Sequence, residues 1–385
     1  MNFNNTEIAF AYRSTKELRN AYLLFKSLQI PGAVKVGKAV LLLAKTLKFP
    51  VKRLLRSTLY GHFCADETLE ESLPTVERLM NYGVTSILDL SIEGQKEEGA
   101  FIRNLELLQD NIIFSSKHMG LYFTVIKITS LGNSENMIGY KKGSEFDEEQ
   151  QAIYERAESL GQIAFERNIN LLVDAEESWI QDFIDEVVER MMLKFNKERA
   201  IIGQTVQLYR KDRLNYLKSL IEYAEEKDVF AGAKIVRGAY MEKERARAQR
   251  NSYESPIQET KEDSDKDYNI AIDVCLDNID RMSLMLATHN EESCQILVSK
   301  MEEKWIAKTH PNIWFSQLYG MSDHLSFNLA AEGFQVAKYI PYGPVMEVVP
   351  YLIRRAEENS SAQSQSGREL DLIKDELKRR KKANN

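Results

Sequence analysis

Cysteine is scarce in this chain and follows no pattern. Cys64, Cys275 and Cys294 make an odd number, without CxxC or zinc spacing. That argues against a disulfide framework and for a reducing compartment. No cluster of His, Cys and Asp has ligand spacing, so no metal is expected. No apolar run approaches the length of a membrane span. Met1–Glu7 resembles neither a signal peptide nor an Arg-rich transit sequence. The expected location is therefore cytoplasmic and bacterial in type, at most peripheral at the inner membrane. Positive charge is in deficit, with 51 Lys and Arg against 58 Asp and Glu, a net −7 that argues against a dedicated nucleic-acid binder. No G-x-G-x-x-G turn follows any strand-like run and no P-loop occurs, so the usual nucleotide fingerprints are missing.

What remains is an ordinary globular composition, 43% hydrophobic and 28% charged, in a chain of 385 residues that can bury a large core. Short apolar or β-branched runs recur at Val84–Leu90, Tyr122–Ile128, Asn170–Asp174, Ile201–Gln207, Ala233–Arg237, Leu284–Thr288, Ile313–Leu318 and Gln335–Ile340. Helical periodicity separates them at Glu148–Arg167, Trp179–Phe195, Arg213–Lys227, Tyr268–Arg281 and Glu291–Lys304. Eight βα units of this length predict an α/β fold, a closed (β/α)8 barrel, with a doubly wound open sheet as the runner-up. The expected division is a mostly helical N-terminal segment over 1–73, the barrel over 74–360 and a polar tail over 361–385. Arg250–Lys266 reads as a loop. The Ser/Gln-rich stretch beyond Ser360, ending in Lys378-Arg379-Arg380-Lys381-Lys382, reads as a solvated, poorly ordered terminus. From Pro31 to Cys64 there are seven cations (Lys35, Lys38, Lys45, Lys48, Lys52, Arg53 and Arg56) and no acid. Such a segment is either a helix packed on its own protein or a peripheral membrane contact.

In a barrel the C-terminal ends of the strands converge on one mouth. Lys127, Asp174, Gln207, Arg237, Thr288, His289, Gln317 and Tyr339 all sit at such ends. Each has a structural alternative: Lys127 could leave its strand for solvent, Asp174 could begin an acidic helix start, and His289 could be a satisfied core histidine. Their coincidence favours a functional mouth. Further on, Pro341 and Gly343 close a strand-like run, and Pro344 suits the first turn of a helix. On that helix Tyr351, Arg354, Arg355 and Glu358 share one face. Two guanidiniums beside a phenol and a carboxylate form a clamp for a small carboxylate, or else a solvated face near a helix end.

With these residues assembled, the chain resembles the flavin-dependent proline dehydrogenases. The matching motifs are Val173-Asp174-Ala175-Glu176-Glu177-Ser178, Gln204-Thr205-Val206-Gln207, Lys234-Ile235-Val236-Arg237-Gly238-Ala239-Tyr240 and Ala287-Thr288-His289-Asn290. To these are added Gln317-Leu318-Tyr319-Gly320-Met321 and the run from Tyr351 to Asn359. The resemblance covers about residues 84–359 and implies a distorted barrel binding FAD, with the final helix over the mouth. It implies oxidation of L-proline to pyrroline-5-carboxylate, the first step of proline catabolism to glutamate. Electrons would pass to a quinone, with functional coupling to a pyrroline-5-carboxylate dehydrogenase. Carried over, Arg354 and Arg355 would pair with the substrate carboxylate, with Lys127 approaching it and Asp174 holding the site in place. Leu318, Tyr339 and Tyr351 would surround the ring, and Glu358 would support the arginines. Gln207, Lys234, Val236, Arg237, Gly238, Ala239, Thr288 and His289 would contact the flavin. Asp174 and Lys234 are taken as the catalytic pair. Gly238, lacking a Cβ, would let the backbone approach the cofactor. Many bacterial members carry Arg in place of Lys234 and an aromatic in place of Met241; the form here is closer to the mitochondrial-type branch. The alternatives are a Schiff-base aldolase using Lys127 and a hydroxyproline-preferring dehydrogenase of the same family.

Overall fold

The computed structural model describes the chain except residues 31, 33–51, 53, 54, 91–96, 362, 384 and 385, and the side chains of 360–366. Among the described residues, eight strands form a closed parallel barrel in the order β1 to β8. In chain order the main elements are α1 (Thr6–Ala9), α2 (Thr15–Leu28), α3 (Leu69–Met80), β1 (Val84–Leu90), α4 (Glu98–Ser115), β2 (Phe123–Ile126), α5 (Glu148–Arg167) and β3 (Asn170–Val173). There follow α6 (Ser178–Phe195), β4 (Ile202–Gln207), α7 (Arg213–Glu226), β5 (Ala231–Val236), α8 (Met241–Asn251), α9 (Lys261–Asp277), β6 (Met282–Ala287) and α10 (Glu291–Glu303). The chain continues through β7 (Ile313–Leu318), α11 (Asp323–Ala331), β8 (Val336–Tyr342), α12 (Val349–Ser361) and α13 (Gln363–Ala383). It forms two compact units, residues 1–93 with 317–385, and residues 94–316.

Local chemistry accounts for the element boundaries. Asp147 and Gln150 form a reciprocal capping box that starts α5, and Asn168 ends it in the left-handed region at φ 59°. The Asn290 side chain accepts the Ser293 amide at the start of α10. β8 runs through Pro341 to Tyr342 rather than stopping at the proline. Pro341 has no N–H, but its carbonyl still accepts the Ala65 amide at 3.0 Å. The strand ends at Gly343, φ 133°.

Three expectations change. The stretch 250–266 is only partly a loop, because Thr260 caps Asp263 and begins α9 at Lys261. Its polarity is that of an acidic first turn on a surface helix. The helix carrying Arg354 begins at Val349, not at Pro344, and Pro350 takes the early position where its missing N–H costs nothing. The polar tail is the helix α13, which buries Glu369, Leu372, Ile373 and Glu376. In the first unit its leucine and isoleucine join Phe10, Leu18 and Phe25 from the N-terminal segment and Tyr351 and Leu352 from α12 in one core. The basic segment lies mostly outside the described residues. Of its cations, Lys52 pairs with Glu67 at 2.9 Å, and Arg56 pairs with Asp66 at 2.5 Å and Glu67 at 3.2 Å. No helix among the described residues is long and apolar enough to cross a membrane. The three cysteines are buried and unpaired.

Candidate active site

In the unit formed by residues 94–316, Lys127 directly follows β2, Asp174 directly follows β3, and Lys234 lies on β5. Parallel pairing brings these ends level, with the Asp174 amide donating to the Ile126 carbonyl at 2.8 Å. The Asp174 carboxylate is shared by two ammoniums. Oδ2 is 3.2 Å from Lys127 Nζ, and Oδ1 pairs with Lys234 Nζ. Burial alone would raise the Asp174 carboxyl, but Lys234 and Lys127 outweigh it and hold it below its ordinary value. Two cationic side chains and one carboxylate thus meet at these strand ends.

Glu176 and Tyr240 also belong to this neighbourhood, although sequence reasoning gives neither a role. The Glu176 carboxylate accepts the Thr129 amide at 3.1 Å and the Thr129 hydroxyl. Burial pushes its carboxyl up to about 7 against those hydrogen bonds. Burial raises the Tyr240 phenol too, with Glu176, Lys127, Glu177 and Asp174 adding their fields. Both residues stand inside quoted motifs, and the signal available for Glu176 is its i+2 spacing from Asp174. Gln207, expected at the flavin, donates its amide N–H to the Glu176 carbonyl at 2.7 Å.

Arg237 is held on three sides. It donates to Asp265 at 2.6 Å, to the Thr288 hydroxyl at 2.9 Å and to the Ser293 hydroxyl at 3.1 Å, and it lies 4.3 Å from the centre of the Tyr268 ring. Thr288 and Arg237 are thus in direct contact, and His289 follows Thr288, half-buried. Val236 ends β5, and Gly238 and Ala239 after it are exposed. Gly238 has φ 142°, and a Cβ there would lie 2.4 Å from the Tyr209 ring. The structure therefore gives Gly238 a reason of its own, close packing on Tyr209, in addition to any close approach by a ligand.

In the unit formed by residues 1–93 and 317–385, Tyr351 and Arg355 lie one turn apart on α12, both buried. Arg355 donates to Glu358 at 2.6 Å, and its guanidinium carbon is 5.2 Å from the centre of the Tyr351 ring. Arg355 Nε and the Tyr351 hydroxyl are buried donors that make no hydrogen bond. Burial raises the Tyr351 phenol despite Arg355 beside it, so the hydroxyl keeps its proton and remains a donor. Arg354 and Leu318 are half-buried and Tyr339 is buried. Two buried donors without acceptors are costly unless a ligand supplies oxygens. Among the described residues no group of three or more His, Cys, Asp or Glu side chains is gathered as a metal site would require.

Comparison with known proteins places the chain in a family. The family model for proline dehydrogenase matches residues 72–368. The carbapenem antibiotics biosynthesis protein CarD of Pectobacterium carotovorum subsp. carotovorum is 35% identical over 342 residues, covering 88% of each chain. Proline dehydrogenase 1, mitochondrial, of Dictyostelium discoideum is 32% identical, covering 98% of this chain and 74% of its own. In fold, the chain is similar to proline utilization A from Bdellovibrio bacteriovorus, a structure of the protein inactivated by N-propargylglycine. The TM-score is 0.74 at 21% identity over 93% of this chain. The chain spans 38% of the length of that larger structure.

Proposed function

The chain belongs to the proline dehydrogenase family, and on that premise we propose that it oxidises L-proline to pyrroline-5-carboxylate with FAD, the first step of proline catabolism. The observation that carries the substrate reading is the pair of buried donors without acceptors on α12, Arg355 Nε and the Tyr351 hydroxyl. A carboxylate offers the planar pair of oxygens that a guanidinium fork matches, and Arg354 stands beside them. Leu318, Tyr339 and Tyr351 supply apolar walls suited to a five-membered ring. Tyr339 also leaves little room for a ring hydroxyl, which favours proline over hydroxyproline.

The residues at the ends of β5 and β6 fit a flavin. Exposed, small Gly238 and Ala239 offer backbone to a flat ring system, while Lys234, Arg237, Thr288 and His289 offer cationic and polar contacts. FAD held by these residues would supply hydride acceptance and onward electron transfer to a quinone. Lys234 would offer a buried ammonium to negative charge formed on reduction, and Asp174 holds that ammonium and the one of Lys127 in place. The protein's task is orientation: the carboxylate clamp fixes the ring and the buried tyrosines keep water from it. A Schiff-base role for Lys127 finds no support, since its ammonium is ion-paired with Asp174 rather than presented as an amine nucleophile.

A quinone acceptor, coupling to a pyrroline-5-carboxylate dehydrogenase and a peripheral membrane contact through residues 35–56 complete the proposal. The deciding experiment uses purified protein supplied with FAD. A yellow protein that is bleached by L-proline and reduces a dye acceptor is the expected result. A flavin-loaded protein inert toward proline overturns the reading.

A further inference from the structure

Six consecutive residues, Leu318–Asp323, connect β7 to α11, and each is gripped by a part of the chain remote from it. Lys338 on β8 is fully buried and spends its ammonium on the Leu318 carbonyl at 3.3 Å, the Met321 carbonyl at 2.5 Å and Asp323 Oδ1 at 2.9 Å. The Tyr319 amide donates to the Tyr339 carbonyl at 2.8 Å, and its hydroxyl accepts from Arg78 at 2.9 Å. A ring nitrogen of His62 lies 2.8 Å from the Gly320 carbonyl. Gly320 has φ 79°, and a Cβ there would come within 2.4 Å of the His62 carbonyl. The Ser322 amide donates to the buried Glu369 of α13 at 2.8 Å, with Ser322 itself in the left-handed region at φ 51°. Asp323 Oδ2 accepts the Tyr12 hydroxyl at 2.7 Å and Arg13 Nε at 3.0 Å. Helix α13 returns to the same cluster from its far end, where Arg380 donates to the carbonyls of Arg13 and Phe10, each at 2.8 Å.

A non-glycine residue in the left-handed region persists only where its surroundings over-determine it. Here those surroundings come from both terminal segments. The segment they fix begins with Leu318 and is bonded, through Tyr319, to the backbone of Tyr339. These are two of the three walls assigned above to the substrate ring. Arg13 and Glu369 both lie outside residues 72–368, the part of the chain that matches the family.

We propose that Arg13 and Glu369 are positioning residues for the substrate. Acting through Asp323, Lys338 and the Ser322 amide, they hold Leu318 and Tyr339 at the spacing the ring requires. This rests on the proline reading. It predicts an effect on substrate affinity and none on the hydride step, because neither residue touches the reacting atoms.

The test uses the full-length, flavin-loaded enzyme. Glu369→Ala, which removes the carboxylate that accepts the Ser322 amide, should raise the KM for L-proline about tenfold with kcat within about twofold, as expected for a small misplacement of a binding wall. Glu369→Gln keeps an acceptor oxygen and should restore the wild-type KM. Arg13→Lys keeps the charge but not the Nε–H aimed at Asp323, and should raise KM about threefold by the same reasoning. Hydrogen exchange at the Ser322 amide should be slow in wild type and Glu369→Gln, and fast in Glu369→Ala. An active wild type whose KM is unmoved in both Glu369→Ala and Arg13→Lys overturns this proposal alone. So does a KM that Glu369→Gln fails to restore. A wild type inert toward proline overturns the proline reading, and this one with it.

Discussion

Asp174 and Asp323 each hold two cationic side chains, in surroundings that differ in their access to water. Asp174 and Lys127 keep 18% and 21% of their side-chain surface, with Lys234 at 5%, while Asp323, Lys338 and Arg13 keep 2%, 0% and 7%. In both places burial opposes the charged carboxylate, and in both the neighbouring cations hold it below its ordinary range. The difference lies in what is left over. Around Asp323 the Lys338 donors are all taken by protein oxygens and the side chains are sealed from water, so the cluster serves as a joint. Around Asp174 water can reach the carboxylate and Lys127, so this cluster is open to a ligand. The same three-charge pattern thus makes a hinge pin when sealed and a receptor when left ajar.

The largest effect expected from this contrast is on stability. Asp323→Asn leaves Arg13 and Lys338 buried opposite a neutral group, which costs about 3–5 kcal/mol. Urea unfolding should show it as a lowered midpoint. Next comes the clamp. Arg355→Ala removes a charged hydrogen-bond donor from the proposed carboxylate site, worth about 2–4 kcal/mol. The KM for proline should rise roughly 30- to 1000-fold with the flavin spectrum intact; a normal KM would remove Arg355 from the clamp. Asp174→Asn should lower kcat/KM by about 10- to 100-fold while costing less stability than Asp323→Asn, about 1–3 kcal/mol, since water reaches Lys127 and screens part of the charge. Equal stability losses from Asp323→Asn and Asp174→Asn would erase the contrast.

How much of this is legible in the sequence varies with the length of chain separating the partners. β1 and β7 match their sequence patterns end to end, each a short run rich in apolar and β-branched residues between helical patterns. Lys127 and Asp174 follow from one local rule, that polar residues ending parallel strands share a mouth, whereas Lys234, inside β5, comes only from the family resemblance. The Asp323 joint obeys no local rule: Arg13 and Asp323 are 310 positions apart. Lys338 reads as a polar interruption in an apolar strand until its partners are seen. Helix α13 escapes the sequence pattern for a different reason. Leu370, Ile373 and Leu377 recur at helical spacing and pack on the core of the first unit, but Ser, Gln and Lys dominate the composition around them and favour the reading of a solvated tail.

The smallest expected effect is a pH dependence that separates the joint's own members. Burial raises the Glu369 carboxyl to about 7, with Asp323 adding to it and the Ser322 amide, Lys338 and Arg13 opposing. The folded protein therefore prefers Glu369 protonated, relative to an unfolded value near 4.5. Its contribution is full below pH 4.5 and is lost as pH rises through 7. Stability should fall across that window by on the order of 1–2 kcal/mol, measured as Tm against pH. Glu369→Gln should flatten part of the fall, the remainder belonging to Glu176, whose carboxyl is also raised to about 7. A fall unchanged in Glu369→Gln would place the titration elsewhere.

Arg380 gripping the carbonyls of Phe10 and Arg13 has a consequence for the order of assembly on the ribosome. Every strand, both lysines of the Asp174 cluster and the arginines of α12 leave the exit tunnel before α13 does. Until α13 arrives, the Ser322 amide has no Glu369 and the Arg13 carbonyl has no Arg380. A nascent chain can thus complete its barrel strands and still hold the Leu318–Asp323 turn unfinished, so the last grip on that turn is timed by the synthesis of α13.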